Sequence, residues 1–101
     1  MKSFFQGDIL KVEGIRGDVL VTSKNRFNQT GLAVVCPVLY DVDDAALHIR
    51  VQGKEKCGVA ICEQLKTLDL NARGFSKLDE VVLSDVMEVS DAIQGIFDYI
   101  F

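Results

Sequence analysis

The run Gly31-Leu-Ala-Val-Val-Cys-Pro-Val-Leu-Tyr-Asp41 constrains this chain more than any other stretch. No polar side chain interrupts it from Leu32 to Val38, which predicts a strand buried on both faces. Pro37 lacks the amide proton that a ladder uses, so it belongs at a bulge or at the strand's end. The change to Tyr40 and Asp41 is abrupt. It asks whether this strand end carries chemistry or merely leaves a core.

The flanking segments read as further short strands. Gly7 to Val12 and Asp18 to Val21 are β-rich, and the glycines of the intervening Glu13-Gly-Ile-Arg-Gly17 predict a tight hairpin. Ser23 to Gly31 is a polar connection with room for one helical turn, and Asp41 to Ala46 is a turn or loop. Leu47, Ile49 and Val51 alternate with His48, Arg50 and Gln52, as a half-buried strand requires. After a turn at Gly53 to Lys56, Cys57 to Gln64 forms another strand. Leu65 to Leu78 is too mixed for a helix and predicts a turn with a 3₁₀ piece and a last short strand. Val86, Val89, Ile93, Ile96, Phe97 and Ile100 then recur at helical spacing, with Ser84 as N-cap, Asp85 in the first turn and the acids facing solvent. About five short strands and one helix predict a mainly β chain with a C-terminal helix, an α+β arrangement. The barrel is small and strongly curved, and the helix closes or covers it.

At 101 residues the chain holds one domain, 1–101, with one core. A hydrophobic content of 49% describes a folded rather than a disordered protein. No apolar stretch reaches membrane-spanning length and no signal peptide precedes Gly7, so the expected location is the cytoplasm, with no membrane contact. Cys36, Cys57 and Cys62 lack metal-ligand spacing and His48 stands apart from them, which predicts buried free thiols and no zinc. The net charge of −4 opposes nucleic-acid binding at first sight. Six of the fifteen acids, however, follow Leu78, where there is no Lys or Arg. The first 78 residues therefore carry eleven cations against nine acids, a net of +2.

Taken together, Gly7-Asp8-Ile9, Val19 to Ser23, Phe27 to Val38 and Gly58 to Gly74 resemble the MazF/PemK (Kid-like) toxins. The most specific block is Glu63-Gln-Leu-Lys-Thr-Leu-Asp69, followed by Arg73-Gly74. The resemblance implies a small SH3-like β-barrel of the MazF/PemK/CcdB type with a C-terminal helix. It also implies a homodimer, and a growth-inhibiting toxin of a type II toxin–antitoxin pair whose antitoxin carries an acidic tail. Such toxins are metal-independent endoribonucleases that use no cofactor and cut single-stranded RNA at short sequences.

That chemistry makes a ribose 2′-hydroxyl attack the adjacent phosphate, and it needs a base, an acid and a cation for the phosphorane. The family's arginine before the second strand matches Arg16, although Gly17 stands where a proline usually follows. The long first loop of the family is reduced to Glu13-Gly-Ile15, and the position of its hydroxyl after the Pro-containing strand is Leu39. A Kid-like Arg and Asp on the later strand match Ile61 and Glu63. The resemblance thus implies catalytic roles for Arg16, stabilising phosphorane charge, and Glu63, as acid or base. Lys24, Arg26, Tyr40, Asp41 and Lys66 are candidate RNA contacts, with Phe27 as a stacking platform or a core residue.

The replaced positions predict a weakened or altered activity. They also leave a second class open: a catalytically silent binding module on the same scaffold, holding an antitoxin, another protein or, as in CcdB toxins, gyrase. In that reading the hydrophobic Phe97-Asp-Tyr-Ile-Phe101 is a binding end or a dimer seam.

Overall fold

The computed structural model describes residues 3–97. Five strands and two short helices follow the sequence expectation closely, and two further strands arise where one was expected. In chain order they are β1 (Asp8–Val12), β2 (Asp18–Val21), α1 (Asn25–Asn28), β3 (Leu32–Leu39), β4 (His48–Gln52), β5 (Cys57–Ile61), β6 (Lys66–Asp69), β7 (Phe75–Glu80) and α2 (Leu83–Ile96). All named pairings are antiparallel, in the order β4-β5-β3-β2-β1-β7, with β6 also on β3. Among the described residues, one backbone bridge, Gly53 to Val81, joins the two ends of this path, so the sheet curls almost into a barrel without a continuous closing ladder.

The apolar run is β3, and its burial is divided rather than two-sided throughout. Ala33 and Val35 enter one core with Leu10, Val12, Val19, Val21, Leu68, Leu70 and Phe75. Cys36 and Val38, of opposite parity, enter a second core with Ile9, Leu20, Val51, Ala60, Val86 and Val89. Pro37 sits neither at a bulge nor at the last residue. It stays in register opposite Val19, and on the strand's other edge it falls between the β6 partners, which end at Val35, and the β5 partners, which begin at Val38. A residue without an amide proton costs little where the ladder changes partner.

The second core is closed by α2, the first by the β6–β7 excursion, which leaves β3 and returns along β1. Strand β6 escapes notice in the sequence because Lys66, Thr67 and Asp69 are exposed and only Leu68 is buried within it. Backbone pairing with β3, not alternation, defines it. In β7 the register slips between Ile9–Asp79 and Leu10–Lys77, leaving Leu78 as the extra residue. That bulge exposes Leu78 and turns Asp79 inward.

Helix α2 begins two residues earlier than the sequence suggests. Val82, not Ser84, is the N-cap, and no side chain caps it. The Asp85 carboxylate instead accepts a hydrogen bond from the Gln52 amide (2.8 Å), tying the first turn to β4. Val86 and Val89 are buried, while Phe97 is exposed. Ile100 and the Tyr99–Phe101 end lie outside the described residues.

Candidate functional site

The five-residue connection between β1 and β2 positions Arg16. Gly14 and Gly17 supply left-handed backbone (φ 81 and 75), which a side-chain-bearing residue adopts only under strain. Lys11 Nζ donates to the Ile15 carbonyl (2.9 Å), and Arg73 Nη1 donates to the Glu13 carbonyl (3.1 Å). Arg73 thus fastens the hairpin from the β6–β7 turn. Arg16 lines a groove of about 210 Å³ between this turn, Val35 and Pro37 of β3, and Gln64 and Lys66. Among the described residues, no acid forms an ion pair with Arg16 or Lys66.

Glu63, the other catalytic candidate, is not among the residues lining that groove. Its Oε2 lies 3.0 Å from His48 Nε2, and both side chains are partly exposed. The hydrogen bond from His48 is the largest influence holding the Glu63 carboxyl below its ordinary range. His48 is the neighbour of Glu63 that sequence reasoning passes over. Alternation placed it on the polar side of β4, but only strand pairing reveals that β4 lies beside β5, with His48 opposite Ile61.

Residues opposite one another in an antiparallel pair project from the same face. Val19 faces Pro37, Leu39 faces Val59, His48 faces Ile61 and Arg50 faces Val59. With the two-residue period of each strand, all of these share one face, and Val19 and Pro37 are themselves part of the groove. Leu39 is 45% exposed on this face, and Ile61 is buried at 4%. Arg50 projects beside His48 and pairs loosely with Asp44 (3.9 Å).

The remaining candidates lie elsewhere. Lys24 and Arg26 are exposed at α1, which follows the end of β2, whereas Arg16 precedes its start. Phe27 beside them is partly exposed rather than a core residue. Tyr40 belongs to the opposite face: it packs on the α2 core, donates to Asp18 Oδ2 (2.7 Å) and lies under Lys56 Nζ (3.8 Å to the ring centre). Burial, then the Asp18 hydrogen bond, raises its phenol well above the usual range. Gly58 makes this seat possible, because a Cβ there would meet Val38 at 2.6 Å and the Tyr40 ring at 3.0 Å. Asp41 is exposed and takes a left-handed backbone (φ 59) as the chain turns out of β3.

Two thiols are buried as expected, but Cys57 is exposed, its Sγ against Gln52 Oε1 (2.6 Å), because it opens β5 beyond the core. Burial, reinforced by Cys62 and Glu63, pushes the Cys36 thiol up to about 12, so it stays protonated and is no nucleophile. No helix among the described residues is long and apolar enough to cross a membrane, and no group of three or more His, Cys, Asp or Glu there could hold a metal.

The family model for PemK-like, MazF-like toxins of type II toxin–antitoxin systems matches residues 8–97. Among solved structures, MazF in a MazE–MazF complex from Deinococcus radiodurans superposes with a TM-score of 0.82 at 21% identity, covering 95% of this chain and 97% of that one. MazF alone from the same organism gives 0.79 at 20%, over 95% and 97%. A mycobacterial endoribonuclease in complex with its cognate antitoxin gives 0.80 at 16%, over 98% and 99%. At these identities the superpositions establish a common fold. No curated protein sequence is significantly similar to the chain.

Proposed function

The chain belongs to the PemK-like, MazF-like toxins of type II toxin–antitoxin systems, and from that premise we propose that it binds single-stranded RNA along the Arg16 face and cleaves it without a metal. The observation that carries this reading is the groove whose two cations, Arg16 and Lys66, have no acid partner among the described residues. Unpaired cations in a concave site attract phosphate and stabilise charge that grows on it. Arg16 stabilises the phosphorane, Lys66 holds the backbone, and Glu63 serves proton transfer. Lys24, Arg26 and Asp41 are secondary contacts at the margins, whereas Tyr40, seated on the opposite face, supports the end of β3 instead. The protein acts in the cytoplasm as a homodimer and is restrained by an antitoxin with an acidic tail. The antitoxin-bound neighbours from Deinococcus radiodurans and from mycobacteria support that partner.

Purified protein incubated with long RNA in the presence of a chelator tests this. We expect cleavage, and a loss on the order of 10²-fold in Arg16→Ala. No cleavage of any long RNA, or an Arg16→Ala variant equal to wild type, overturns it. The second reading, a silent binding module, is favoured by the exposed Leu39, which offers no hydrogen bond at the groove's face. Growth arrest that survives combined loss of Arg16 and Glu63 would select it.

A further inference from the structure

We propose that His48 is the group that takes the proton from the attacking 2′-hydroxyl, with Glu63 as its positioning residue. The inference rests on the RNA-cleaving reading above, adds a residue to it and has Glu63 serve proton transfer through His48 rather than directly. Three observations carry it. His48 Nε2 is 3.0 Å from Glu63 Oε2. His48 projects from the same sheet face as Pro37 and Val19, which line the Arg16 groove. Gln64, the residue after Glu63, lines that groove as well.

The tautomer follows from the contact. A carboxylate only accepts hydrogen bonds, and Glu63 is held in its ionised form, so the proton of neutral His48 resides on Nε2 and the lone pair on Nδ1. The carboxylate fixes the ring's rotation and stabilises the imidazolium once it forms. Among the described residues, the charges set beside His48 by the strand register are Arg50, two residues along the same face of β4, and Asp44, which pairs with Arg50 from the preceding loop. The step balances without a further reactant. The 2′-oxygen forms its bond to phosphorus as the bond to the 5′-oxygen breaks, and the 2′-hydroxyl proton passes to Nδ1. The departing 5′-oxygen takes a proton from water, and imidazolium returns one to water. The products are a 2′,3′-cyclic phosphate and a 5′-hydroxyl.

The test measures kcat, KM and their pH dependence on an RNA oligonucleotide for wild type, His48→Gln, His48→Ala and Glu63→Gln. We expect His48→Gln to lower kcat by about 10²-fold or more and to lose the ascending limb of the pH–rate profile. Added imidazole restores part of the rate to His48→Ala. Glu63→Gln lowers kcat while KM stays near wild type. Cleavage by wild type together with a full rate and an unchanged pH profile in His48→Gln overturns the role of His48 alone. Absence of cleavage by wild type overturns it together with the reading on which it rests.

Discussion

Asp79 is buried at 7% exposure with no cation hydrogen-bonded to it among the described residues, yet its carboxylate is well served. It accepts from the backbone amides of Lys54 (2.7 Å), Glu55 (3.1 and 3.2 Å), Lys56 (3.3 Å) and Glu80 (2.7 Å). Burial pushes the carboxyl up, but these donors outweigh it and hold it below the ordinary range. The side chain thereby organises the β4–β5 turn and the Gly53–Val81 bridge that brings the sheet's two ends together. Asp79→Asn sets an amide NH₂ against these donors and should cost about 3 kcal/mol or more, measured by urea unfolding at pH 7. Because the folded-state value is depressed, the carboxylate's contribution is complete above the unfolded Asp value of about 3.9 and is lost as pH falls through the lower folded one. Wild type should therefore lose stability more steeply than Asp79→Asn as pH drops below about 5. Equal slopes would deny the carboxylate this role.

Helix α2 depends on packing rather than on its termini. Val86 and Val89 are buried against the sheet, whereas the N-cap Val82 leaves the first turn's amides without a side-chain acceptor. Val82 is 43% exposed, so Val82→Asp adds a cap and a favourable charge at little packing cost. We expect a gain of about 1 kcal/mol in urea unfolding; a loss of that size would show that Val82 packs more than it caps. The same elements mark what the sequence disclosed. Strands β1, β2, β3 and β5 were legible as short β-rich or uninterrupted apolar runs, β4 and α2 because burial imposes a period on each, and α1 because polar residues bridged two strands. Strand β6 was not, since three of its four side chains face solvent. The inward turn of Asp79 depends on a one-residue bulge against β1, which no local pattern in β7 reveals. Arg16 was reachable through the family motif, but the pairing of His48 with Glu63 spans 15 residues and exists only once β4 lies beside β5.

Across the whole molecule, the acids of the C-terminal helix lie on the side of the sheet away from the groove cations. Asp85, Glu88 and Asp91 belong to α2, which covers the face carrying Ile9, Leu20, Cys36 and Val38. Arg16, Lys66 and Arg50 belong to the other side, with Val19 and Pro37, where Glu63 and Asp44 are taken up by His48 and Arg50. A net charge of −4 is therefore no barrier to a phosphate backbone, because the Debye length of about 8 Å at physiological salt lets the local cations dominate their own face. The account stands on RNA occupying that face. Backbone amide shifts of isotopically labelled protein, titrated with a single-stranded RNA made uncleavable by 2′-deoxy substitution, locate the bound strand residue by residue. The largest changes should fall at Gly14, Arg16, His48, Gln64 and Lys66 and should diminish as salt is raised. Changes confined to Leu83, Met87 and the rest of α2, or none at any RNA concentration, would contradict it.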